Sequence, residues 1–162
     1  MERALALPPN ALILDLASGR GRHAVPLAAA GRRVVALDVA EPAVRAARRA
    51  AGPALDGVVA DARALPLREG ALDAVLCVRY LDRALLSQVH RLLRKGGVLL
   101  VETFTTAQRA LERGPRDDAH LLRAGELPRL VAPLAVAEYE EGLVRDASGE
   151  GYVARVVAVN RA

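Results

Sequence analysis

Residues 11–38 read ALILDLASGRGRHAVPLAAAGRRVVALD, and this stretch decides the fold. Ala11 to Leu16 is a short apolar run that enters a Gly-rich turn, the mark of a strand buried on both faces. A helix-like segment follows from about Arg22 to Ala30 and stops at Gly31. Pro26 fits it only if the helix starts late, with the proline near its first turn. Arg33 to Asp38 is then a second buried strand. Strand, Gly-rich turn, helix and strand within so few residues predict a βαβ unit and a parallel sheet.

The rest of the chain extends the pattern. Pro42 opens a helix with Val44 and Ala47 inward and Arg45, Arg48 and Arg49 outward. Gly57 to Ala60 and Ala71 to Val78 read as the third and fourth strands. Leu85, Leu86, Val89, Leu92 and Leu93 recur at helical spacing, with Gly96-Gly97 expected to end that helix. Val98 to Phe104 is a fifth strand. Leu134 to Glu141 and Tyr152 to Asn160 form an expected hairpin around Asp146-Ala147-Ser148-Gly149. The prediction is a single α/β domain over residues 1–162. Its sheet is Rossmann-like, doubly wound and mainly parallel, with seven strands and an antiparallel C-terminal hairpin strand. Thr105 to Arg123 is left as a non-core stretch, a candidate lid or substrate loop.

Composition narrows the function. Hydrophobic residues are 52% and charged residues 26% of 162, a globular balance. No apolar run approaches the roughly 20 residues of a membrane span, and Met1-Glu2-Arg3-Ala4-Leu5 lacks a secretory layout, so a cytoplasmic protein is expected. The single cysteine, Cys77, excludes an internal disulfide and a multi-thiolate zinc site; no metal is expected. The net charge of +4 invites nucleic acid as a partner, but aromatic residues are only 2%, leaving little on which to stack bases. A small-molecule partner is favoured, and a homodimer stays open.

In a doubly wound sheet, ligands bind outside the carboxyl ends of the strands. The first strand ends Asp15-Leu16-Ala17-Ser18-Gly19-Arg20-Gly21, where Gly19 and Gly21 allow a sharp turn and close approach of a ligand. The second ends in Asp38, able to accept from two ribose hydroxyls, and the third in Asp61, able to accept from an exocyclic amine. Three carboxylates on successive tips beside a Gly-rich turn suit a nucleoside that carries positive charge.

These motifs resemble the class I S-adenosylmethionine-dependent methyltransferases. The residues that carry the resemblance are LDLASGRGR (14–22), VALD (35–38), VVADARALP (58–66), LDAVLCVRYLDR (72–83) and LLRKGGVLLVETF (92–104). Within that class, residues 79–108, 120–130 and the YEEG at 139–142 look like the small tellurite-resistance-type, TehB-like group. Ala17 stands where the family usually has its first glycine. The resemblance implies S-adenosylmethionine as cofactor. Backbone of Ala17, Ser18, Gly19 and Gly21 would hold its methionine part, with Asp15 bracing the turn. Asp38, with Val39 beside it, would grip the ribose. Asp61 and the backbone of Ala62 would meet adenine, and backbone at Val78 and Arg79 would close the methionine end.

Methyl transfer from a sulfonium needs alignment more than acid catalysis. Tyr80 and His23 are the candidate catalytic groups, with Arg79, Glu102 and His120 as further residues facing the methyl. His90 reads as structural, and Cys77, inside an apolar strand, as a buried small hydrophobe. Two rivals remain open. Gly19-Arg20-Gly21-Arg22-His23-Ala24 satisfies G-x-G-x-x-A, and with Asp38 it permits a nicotinamide dehydrogenase, although clustered carboxylates would repel a pyrophosphate. A non-catalytic S-adenosylmethionine-binding module is the other.

Overall fold

A computed structural model describes residues 7–65, 67–146 and 149–162. The amino-terminal segment read for a secretory signal, Pro66 of the third motif, and turn residues Ala147 and Ser148 lie outside the described residues. Seven strands form one sheet: β1 (Leu12–Leu16), β2 (Arg33–Asp38), β3 (Leu55–Val59), β4 (Leu72–Val78), β5 (Leu93–Phe104), β6 (Ala135–Asp146) and β7 (Gly149–Val159). Their order is β3-β2-β1-β4-β5-β7-β6. The first five are parallel, and β7 enters antiparallel between β5 and β6. This is the expected architecture, with its order reversing between β1 and β4.

Among the described residues four α-helices flank the sheet: α1 (Ala24–Ala29), α2 (Glu41–Ala51), α3 (Arg83–Gln88) and α4 (Leu127–Leu130). Alternation along β1 explains why both faces are covered. Ile13 packs with Leu27, Ala28 and Ala47 in one core. Leu14 and Leu16 pack with Leu86, Leu122 and Leu127 in the other. β1, β2 and β4 therefore lie in the interior of the sandwich, which holds their tips rigid. The late start of α1 puts Pro26 in its first turn, where no helical hydrogen bond is lost.

Four expectations need correction. The helix read through Leu93 ends earlier: α3 gives way to a 3-10 turn at Val89–Leu92, and Leu93 already pairs with Leu72 in the sheet. Gly96-Gly97 lies inside β5, where the register jumps from Leu93 to Val98 and Asn160 satisfies the displaced backbone of Gly96 and Gly97. β3 starts at Leu55, because that side chain is buried. The regular strand–helix alternation also fails once: the described residues between β3 and β4 hold turns and no helix. A proline in the middle of the sequence between them opposes helix there.

Finally, Thr105–Arg123 is not wholly outside the core. Leu121 and Leu122 are buried, and Thr105 pairs with Leu122 in a parallel bridge. Amides of Thr106 and Leu122 donate to the carbonyls of Leu122 and Phe104 at 2.8 and 2.9 Å. Both ends of the segment are thus pinned, and only its middle projects.

Candidate functional site

The tip of β1 turns through two residues with positive φ, Ala17 at 56° and Gly19 at 54°. Ser18 N donates to the carbonyl of Leu37 at 3.0 Å, tying the turn to β2. A Cβ built on Gly19 would have nothing within 4 Å, so this position faces open space at the rim. Gly21 is different. Its Cβ would come within 2.8 Å of Ala47 Cβ and 2.9 Å of Val25 Cγ2. Gly21 lets α1 and α2 pack; it is not an open approach for a ligand.

Asp15 is buried beneath this turn, and its Oδ2 accepts from the amide of Ala24 at 3.0 Å. It therefore holds the first amide of α1, whereas the sequence reading has it brace the Ala17–Gly21 turn. Burial raises its pKa to about 7, against the opposing pull of the Ala24 amide and Arg22. Asp38 bridges two tips: Oδ2 accepts from Gly19 N at 2.7 Å and Oδ1 from Ala40 N at 2.9 Å. Each carboxylate oxygen keeps a further lone-pair site, so these bonds orient the group without exhausting it. Val39, just beyond, is 73% exposed, an apolar surface at the same rim.

Asp61 lies after β3, with Arg63 forked onto its carboxylate through Nε at 3.1 Å and a terminal nitrogen at 2.8 Å. The hydrogen bonds from Arg63 hold its pKa below the usual carboxylate value. Ala62 beside it is buried. Val78 ends β4, and Arg79 follows with φ at 62° and its amide on the carbonyl of Glu102 at 2.7 Å. The tips of β1, β2, β3 and β4 thus carry the residues expected at the cofactor, except that Gly21 is taken up by the α1–α2 contact.

The two catalytic candidates fall on different sides. Tyr80 sits among the charges of Asp82, Asp61 and Arg63, toward the β3 tip, and burial raises its phenol pKa. His23, at the start of α1, feels Arg22, Glu102 and Arg79, and burial lowers its pKa. Its Nε2 and the hydroxyl of Ser18 are buried with no hydrogen-bond partner among the described residues. Elsewhere, His120 lies in an exposed 3-10 turn, and His90 Nδ1 is 3.0 Å from the carbonyl of Ser87. Cys77 is buried, and burial pushes its thiol up to about 12, which makes it a poor nucleophile.

Sequence reasoning gave Arg79 a backbone role at the cofactor and named it among the groups facing the methyl, but it did not foresee which partners its side chain meets. The guanidinium is 3.0 Å from Glu102 Oε1 and lies 4.3 Å over the ring of Phe104. It walls a cavity of about 200 Å³, with Phe104, Gln108, Arg113, Gly114, Gly149 and Glu150. Gln108 is buried and staples this wall: Nε2 donates to the carbonyl of Arg113 and Oε1 accepts from Tyr152 N, each at 2.8 Å. No spacing in the sequence announces this cavity, because it needs β7 inserted beside β5.

The residues fit an adenosyl group by two observations: a glycine whose missing Cβ opens onto free space, and two orphaned polar atoms in the same turn-to-helix segment, Ser18 Oγ and His23 Nε2. They fit a dinucleotide poorly. A pyrophosphate takes the amides at a helix N-terminus. Here Asp15 already holds the first amide of α1.

Comparison with known proteins agrees. A family model described as a methyltransferase domain matches residues 13–97. A demethylmenaquinone methyltransferase of Clavibacter sepedonicus is 34% identical over 142 residues, 83% of this chain and 58% of the relative. The chain spans about half the length of the curated relatives it matches. Among solved structures, a Methanosarcina mazei S-adenosylmethionine-dependent methyltransferase superposes with TM-score 0.79 at 20% identity, covering 95% of this chain and 94% of the other. TehB from Haemophilus influenzae superposes with TM-score 0.78 at 17% identity, over 98% of this chain and 60% of its own. Family model, strand order and turn geometry converge: the chain belongs to the methyltransferase-domain family and has the fold of its S-adenosylmethionine-dependent members.

Proposed function

We propose that this domain transfers a methyl group from S-adenosylmethionine to a small-molecule acceptor by in-line displacement. The observation that carries this reading is the rim itself: a Gly19 position open to free space, flanked by Asp15, Asp38 and Asp61 on successive strand tips. When bound, the cofactor supplies a methyl already activated on a sulfonium, whose electron pair leaves as a neutral thioether.

What this chain contributes is positioning. The Ala17–Gly21 turn, fixed to β2 through Ser18 N and Asp38, presents main chain to the methionine portion. Asp38 offers its remaining lone pairs to the ribose. Asp61, with Val39 and Ala62 close to the rim, receives the base. His23, at the start of α1, feels the charge of Glu102, and burial lowers its pKa, which favours the neutral imidazole. In this reading His23, whose buried Nε2 has no hydrogen-bond partner among the described residues, would turn toward the acceptor and take a proton from one that must lose it. Tyr80, on the adenine side, serves as a wall of the cofactor site.

Thermal melts of the full chain with S-adenosylhomocysteine, S-adenosylmethionine or NAD test the assignment. At 100 times the dissociation constant, a specific ligand adds about 2.7 kcal/mol of stability. The melting midpoint should rise with either adenosyl compound and stay fixed with NAD. A rise with NAD alone would overturn the reading. Methyl release on a panel of thiols, phenols and small acids then separates an enzyme from a binding module.

A further inference from the structure

We propose that the cavity beside Arg79 is the acceptor pocket and that it takes a small organic acid, whose carboxylate is held by Arg79 and Arg113. This rests on the methyltransferase reading. Arg79 joins the two sites physically: its backbone follows the β4 tip at the cofactor rim, and its side chain walls the cavity.

The charges in the wall are unbalanced. Arg79 is largely enclosed, its side chain 21% exposed, and its described contacts use Nε toward Glu102 and the guanidinium face over Phe104. Its terminal nitrogens have no hydrogen-bond partner among the described residues. Glu102 also pairs with Arg155, which in turn reaches Glu140 at 4.0 Å, so these charges form a chain that leaves the terminal nitrogens of Arg79 unused. Arg113 donates to the carbonyl of Glu150 and has no carboxylate partner among the described residues. Glu150, the acid in the wall, is matched by Arg145. Two guanidiniums with spare donors therefore face one small space, and a guanidinium fork matches the two oxygens of a carboxylate.

The backbone is shaped for this arrangement. A Cβ on Gly149 would lie 2.7 Å from an Arg113 terminal nitrogen. One on Gly151 would meet Phe104 at 3.1 Å and an Arg79 terminal nitrogen at 3.5 Å. The start of β7 thus lacks side chains where the two arginines lie against it. The volume of about 200 Å³ falls below the range of roughly 300–1,000 Å³ for drug-sized ligands, which suits a compact acid group. A purely hydrocarbon occupant would desolvate both cations without compensation.

Calorimetry on the full chain saturated with S-adenosylhomocysteine tests the proposal, with benzoate and its uncharged isostere benzamide as probes. Benzoate should bind at least about tenfold more tightly than benzamide. Arg113→Gln and Arg79→Lys should each weaken benzoate by about tenfold, while Arg113→Gln leaves S-adenosylhomocysteine affinity within about twofold. Arg113 lies on an exposed loop, so its variant decides the matter even if Arg79→Lys fails to fold. Equal binding of the probes, no benzoate binding, or benzoate binding indifferent to Arg113→Gln overturns the proposal. If S-adenosylhomocysteine itself does not bind, the methyltransferase reading falls first and the acceptor assignment with it.

Discussion

Ala17 adopts the left-handed backbone region at φ 56°, where an L side chain costs roughly 1–2 kcal/mol. By size alone the alanine is a mild departure from the family's glycine; conformation makes it a strained one. Ala17→Gly should therefore stabilise the protein by about 0.5–1 kcal/mol after the added entropy of the unfolded chain is subtracted. Chemical denaturation reads this directly, and a loss of stability would mean the turn is not strained. Other residue-scale facts were legible only in part. Asp15, Asp38 and Asp61 could be placed at strand tips from the pattern alone. That Asp38 binds Gly19 N, and Asp61 its neighbour Arg63, depends on turn geometry that no periodicity encodes. The partners of the Arg79 side chain were hidden for the same reason: Glu102 and Phe104 reach it only through the β4–β5 register.

Between elements, the contact of α1 with α2 sets the height of the cofactor turn. Gly21 is the point of closest approach, with no room for even a methyl group. Gly21→Ala should cost about 3 kcal/mol, combining overpacking against Ala47 and Val25 with strain at its φ of 81°. Its denaturation midpoint should fall well below that of Gly19→Ala, which meets no protein atom. Equal midpoints would show that the two helices yield freely. The buried strands were the most readable elements, because runs such as RVVALD have few alternatives. Helix ends were the least readable. The leucine period through Leu92 and Leu93 continues past the true end of α3, since the same leucines satisfy a sheet as well as a helix. Leu121 and Leu122 were passed over because a two-residue apolar patch among arginines carries no period.

For the whole molecule, Asp15 links stability to pH. Its folded pKa of about 7 stands above the ordinary 3.8, so the folded state binds the proton more tightly than the unfolded chain. That contribution is complete below about pH 4 and is lost as pH rises through 7, on the order of 4 kcal/mol at most. Without cofactor, unfolding free energy should fall across this window more steeply for the native protein than for Asp15→Asn. Parallel curves would place the titration elsewhere.

The family-matched stretch, residues 13–97, contains all the strand tips of the cofactor rim, whereas Phe104, Gln108, Arg113, Gly114, Gly149 and Glu150 lie beyond it. The cofactor rim and the cavity share Arg79 yet draw their other residues from separate lengths of chain. A lineage could rewrite the hairpin and the projecting middle of 105–123 to suit a new metabolite without disturbing the grip on its methyl donor.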